Sequence, residues 1–231
     1  MAKILLLCVM IGTMYGESIF QRQAEIDSSA GQSFDCQKVK FHTIEAYLCN
    51  KQYITQNEHN QYQDSFFTSY YNLIMRYIAK DKKSSVKNIA KKAIKKRDDL
   101  LPQIAQTAKE DAQRYANRFD SNSEPYPSAP DDAQNANQTQ IEMVYFEGTQ
   151  NLTKFLLEND AKLFAKIFPK NTEKYKAMLT KILPKYIENY ANSYDEIWGD
   201  VLQSLYNDGL IDKNGVIMGN LHNDSRESSE N

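Results

Sequence analysis

Two cysteines, three histidines and a run of lysines are the residues of this chain whose types and spacing bear on chemistry. Cys8 lies in the apolar N-terminal run, which leaves Cys36 and Cys49. An even pair in an exported chain reads as one disulfide. The two lie thirteen positions apart. Along one straight helix that spacing would part them by about 20 Å, whereas a disulfide needs Cα atoms about 4.4–6.8 Å apart. The chain must therefore turn back between them. Thr43 is placed to cap a helix carrying Ile44, Tyr47 and Leu48, with Cys36 on an extended lead-in folded against that helix's first turns. Closing a loop of this size stabilises by roughly 3 kcal/mol in the chain-entropy model.

Catalytic chemistry finds little support. His42, His59 and His222 form neither an H-E-x-x-H motif nor any i, i+4 pair, so we expect no metal and no cofactor. With both cysteines oxidised, cysteine–histidine catalysis lacks its thiol. The sequence contains no G-x-S-x-G elbow, no P-loop and no dinucleotide glycine fingerprint. Asp98-Asp99 and Asp131-Asp132 are acid pairs, but adjacent helical residues diverge by about 100° and do not converge on a substrate. Leu210–Ile217 echoes an EF-hand loop. With Gly215 as its glycine, Leu210 and Leu221 fall where oxygen ligands are required, which argues against calcium. The expectation is a non-enzymatic protein.

The sharpest local feature is basic. Nine of the residues from Lys80 to Arg97 are Lys or Arg, against the single acid Asp81. On a helical wheel Val86, Ile89, Ala90, Ala93 and Ile94 fill one arc, and Lys87, Lys91, Lys92, Lys95 and Lys96 fill the rest. Such a face is either ordinary solvated surface or an anion-binding patch. As a patch it suits an extracellular acidic protein or an anionic glycan or lipid surface. The 15 Tyr and 10 Phe are the second feature. They read as core, or as the lining of a helical cavity for a small hydrophobic ligand. The net charge of −2 gives no reason to expect nucleic acid.

The elements that must position these residues are helical. Only 8 Gly and 6 Pro occur, which disfavours a turn-rich β sandwich. Apolar positions recur at gaps of three and four through residues 62–78, 86–119, 141–167, 175–190 and 197–206. Helices are expected over about 43–57 and 61–80, then from a cap at Ser84 or Ser85 to 119, bent or interrupted at Pro102. Gly148 is a weak point in the next stripe. Ser193-Tyr194-Asp195-Glu196 is a capping box, and Gly209 stops the helix it opens. The fold class is all-α: a multi-helix bundle of about six amphipathic helices, in two halves about a Pro/Ser/Asn-rich linker.

The organisation expected is a signal peptide at 1–16, an N-terminal helical region with one disulfide at 17–120, a linker at 121–138, a C-terminal helical region at 139–219 and a disordered tail at 220–231. Lys3 precedes an apolar run from Ile4 to about Met14, followed by small and then polar residues, as in a secretory signal. That run is short of the roughly 20 residues a bilayer requires, and no later segment reaches that length. The chain is therefore expected to be secreted and extracellular, with no transmembrane span. In a glycosylating lumen the sequons at Asn137, Asn151 and Asn223 become acceptors, Asn137 foremost because it falls in an expected loop. N-terminal sequencing of the natural protein should begin near Glu17. A start at Met1 or Ala2, with Cys36 and Cys49 reduced, would overturn export.

Overall fold

The computed structural model describes residues 33–40, 42–49, 58–119, 132–182 and 194–218. The expected signal peptide, the expected tail, Asn223 and Ser193 lie outside the described residues. Among those described the chain is helical. No strand forms, and one isolated antiparallel bridge joins Ile211 to Ile217. The helices are α1 (Ile44–Leu48), α2 (Glu58–Tyr77), α3 (Lys83–Asp98), α4 (Leu101–Phe119), α5 (Asp132–Asn159), α6 (Ala161–Ile167), α7 (Thr172–Ala177) and α8 (Tyr194–Asn207). A π-helical turn, Met178–Ile182, continues α7.

Thr43 caps α1 as its position predicts, its hydroxyl accepting from the Ala46 N–H at 3.2 Å. The helix ends sooner than 57, at Leu48, and Cys49 is its C-cap. There the Cys36–Cys49 disulfide closes, with Cα atoms 5.5 Å apart. Cys36 therefore meets the end of α1 and not its first turns. Neither Ser84 nor Ser85 caps α3. The chain enters it through a 3-10 turn, Lys80–Lys82, and the cap residue Lys82 makes no side-chain cap bond.

The long run to residue 119 divides at Asp99–Leu100, and Pro102 becomes the second residue of α4. A first-turn proline loses no hydrogen bond, because its N–H would have no intrahelical partner anyway. The run from 141 to 167 also divides, at Asp160, whose carboxylate accepts from the Leu163 N–H at 3.0 Å and opens α6. Helix α5 starts at Asp132, inside the stretch read as linker, so Asn137 lies on a helix and not in a loop.

Helix α5 is the centre of the fold. Ile141, Tyr145, Leu152 and Leu156 pack inward, and Phe146, Thr149 and Thr153 are buried on an adjoining strip. Its neighbours α2 and α3 precede the Pro/Ser/Asn-rich stretch, so the helices before and after that stretch share one core. Pairing of Asp64 with Tyr145 and of Tyr70 with Thr153 sets α2 parallel to α5. Beyond it, Tyr70, Phe168 and Tyr175 pack ring against ring in tilted contacts, at 5.7 Å and 5.7 Å between centroids, which ties α2 to the α6–α7 corner. Helix α8 ends as Gly209 predicts. Gly209 takes φ +68°, and the Leu210 N–H reaches back to the Leu205 carbonyl at 2.9 Å. In the following turn the Asp212 carboxylate accepts from the Asn214 and Val216 N–H groups at 2.8 and 2.9 Å.

Gly148 is no weak point, since α5 runs through it unbroken. A Cβ there would lie 2.8 Å from the Phe67 ring and 2.9 Å from the Ala93 Cβ. Glycine is what lets α5 close on α2 and α3 together. Gly148→Ala should therefore lower stability by about 1–3 kcal/mol through overpacking, although alanine is the better helix former by about 1 kcal/mol. Urea unfolding measures it, and a stabilised variant would refute the close approach.

Candidate functional site

The five lysines singled out by spacing all lie exposed on α3. The helix is held by its opposite face, where Val86, Ala90, Ala93 and Arg97 are buried. The lysines do not converge on one point. Lys87, Lys91 and Lys95 edge a cleft between α3 and α2, whereas Lys92 and Lys96 edge a second cleft between α3 and α5. Lys95 pairs with Asp99 one turn on, at 2.7 Å, and Lys96 pairs with Glu147 of α5. Among the described residues Lys87, Lys91 and Lys92 have no ion pair.

The two clefts differ in chemistry. The one toward α2 is about 620 Å³ and is floored by Phe67, Tyr71, Ala90 and Ile94. The one toward α5 is about 430 Å³ and mixes Lys92, Lys96 and Lys154 with Glu147 and Glu158. Asn151 lies exposed in the second cleft, while Thr153 of the same sequon is buried against Tyr70 at 3.1 Å. The described residues include no group of three His, Cys, Asp or Glu side chains placed to hold a metal ion. No helix among them is long and apolar enough to cross a membrane.

Arg97 belongs with the core, not with the basic face. Its side chain is 2% exposed. The guanidinium donates from Nε to Asp98 at 2.9 Å, from one terminal nitrogen to Glu45 and to Asp98, and from the other to the Tyr145 hydroxyl at 3.2 Å. Tyr145 in turn donates to Asp64 at 2.7 Å, and Asp64 also accepts from the Ser33 N–H at 2.6 Å and the Ser33 hydroxyl at 3.0 Å. This chain of bonds joins the lead-in, α1, α2, α3 and α5. Sequence reading counted Arg97 among the basic residues, placed Tyr145 in an apolar stripe without its polar role, and missed Asp64 and Glu45. One signal was available: Arg97 continues the inward series Val86, Ala90, Ala93 at helical spacing.

Burial sets the protonation of the network. It pushes the Tyr145 phenol well above its ordinary 10.0, so the hydroxyl keeps its proton and can bridge Arg97 to Asp64. Burial also raises Asp64, against the opposing hydrogen bonds from Ser33 and Tyr145 and the charge of Arg97. No known protein family, curated protein or solved structure matches this chain, so the site rests on its own geometry.

Two outcomes are expected. Arg97→Ala removes the counter-charge 3.7 Å from buried Asp64 and the donor to Tyr145, and should cost about 3–5 kcal/mol in urea unfolding. Arg97→Lys, which keeps the charge but not the fork, should fall between that variant and the wild type. A carboxyl raised in the folded state holds its proton more tightly there than in the unfolded chain. Stability should therefore fall as pH climbs above 3.8, the ordinary carboxylate value, toward the native one. Asp64→Asn should lose that component of the slope; equal slopes in the two proteins would refute it.

Proposed function

We propose that the protein is exported and acts without catalysis, by binding an extracellular anionic surface through the outer face of α3. The observation that carries this reading is the set of exposed lysines on one helix whose inner face is locked into the core. Three of them have no acidic partner among the described residues, and the other two pair with acids at the surface. Surface pairs are worth little, about 0–1 kcal/mol, so an incoming polyanion displaces them readily. An anionic glycan or lipid headgroup layer presents the repeated charge that such a helix matches better than one compact anion would.

Export draws support from the N-terminal pattern and from the Cys36–Cys49 disulfide, which persists in oxidising compartments. In such a compartment Asn151, exposed on α5, and Asn137 near the start of α5 are acceptor sites for glycosylation, as is Asn223 in the sequence. A second reading, a carrier of a small hydrophobic ligand, is favoured by the apolar floor of the cleft beside α2.

Alanine at Lys87, Lys91, Lys92, Lys95 and Lys96 together tests the first reading. The variant should elute from heparin at lower salt and should lose binding to vesicles rich in phosphatidylserine. Wild-type binding should weaken as ionic strength rises. Unchanged retention and unchanged vesicle binding would remove the proposal.

A further inference from the structure

We propose that the cleft between α2 and α3 binds a long-chain fatty-acid carboxylate, the anion at Lys87 and Lys91 and the chain along Ala90, Phe67 and Ile94. This rests on the reading of α3 as an anion-binding helix and names the ligand class for one of its two flanks. The cleft measures about 620 Å³, within the roughly 300–1,000 Å³ of small-molecule sites. Its floor is apolar and aromatic, and its rim carries Lys87, Lys91 and Lys95. Two acid-free lysines at one end of an apolar floor match a ligand with one charged end and one hydrocarbon end.

The distribution of charge along the cleft sets the orientation. Asp98 and Ser33 close the end nearest the buried network, and both are already engaged, Asp98 by Arg97 and Ser33 by Asp64. Lys95 is paired with Asp99 nearby. Within this cleft, positive charge without an ion pair is therefore confined to Lys87 and Lys91, and Asn72 adds an amide to the lining. The opposite flank of α3 provides the contrast. There Lys96 already holds Glu147, and Glu158 faces the same cleft as Lys92 and Lys154. That flank has both signs of charge and no aromatic floor beyond Phe155, so it offers an amphiphile neither a charged end nor a smooth track.

The test is calorimetric titration of the full-length exported protein with dodecanoate, with dodecan-1-ol as the uncharged control. Wild type should bind dodecanoate and should bind the alcohol at least about ten-fold more weakly, the loss expected for a charge-assisted contact. Lys87→Glu/Lys91→Glu should weaken dodecanoate at least about ten-fold. Ile94→Asp, which puts a carboxylate on the floor, should do the same. Lys92→Glu/Lys96→Glu, on the other flank, should leave dodecanoate affinity unchanged while reducing heparin retention. No heat of binding in the wild type, or equal losses in the two lysine pairs, would overturn the inference. Heparin retention of the same proteins separates the two ideas: retained heparin binding without dodecanoate binding sinks this inference alone, and loss of both sinks the anion-binding helix as well.

Discussion

A guanidinium taken out of water at Arg97 constrains more of this structure than any other group. Its donors meet Glu45, Asp98 and Tyr145, and Asp64 lies 3.7 Å away. Desolvating such ions costs several kcal/mol each, which their mutual attraction repays only when every oxygen and N–H is in place. The expected contribution is therefore registry more than net stability. A slip of one residue in α2, α3 or α5 would leave a charge buried without its partner. The Ser33 N–H and hydroxyl extend that requirement to the lead-in, which the Cys36–Cys49 disulfide also ties to α1.

Packing follows from that registry. With Arg97 set against Tyr145 and Asp64, Ala93 lies one turn away against Gly148, and Phe67 closes the same contact from α2. Small residues on α3 and α5 bring the backbones close, and the bulk of Phe67 fills the space left over. The same approach turns α3 so that its lysines point outward and divides them between two clefts. The inner face of the helix is thus structural, and its lysines lie exposed on the outer face.

Charge in this protein is a local property. The whole chain carries a formal −2, yet among the described residues one helix carries exposed lysines of which Lys87 and Lys91, on the α2 flank, have no ion pair, whereas Lys96, on the α5 flank, is paired with Glu147. The cleft beside Lys87 and Lys91 has an apolar floor, and the cleft beside Lys92 and Lys96 sets lysines against Glu147 and Glu158. Counting basic residues along the sequence cannot make that distinction, because the acids that neutralise Lys96 and face Lys92 come from α5.

Interactions within a few residues were legible in the chain. Gaps of three and four marked the buried faces of α2, α3, α5 and α8; Thr43 marked a start, Gly209 a stop, and the spacing of Cys36 and Cys49 required a reversal. Each depends on neighbours along the backbone, and periodicity records them directly. Where helices broke was less legible, since the caps at Asp160 and the turn at Asp99–Leu100 interrupt stripes whose phase continues across them. Other features depend on partners far apart in sequence. Arg97 meets Tyr145 across 48 positions and Tyr145 meets Asp64 across 81. Whether a basic residue faces water or the core, whether a glycine is a defect or a point of close approach, and which lysines share a cleft were all settled by how three helices pack. Burial and charge pairing are properties of assembled surfaces, and no stretch of chain contains both sides of such a contact.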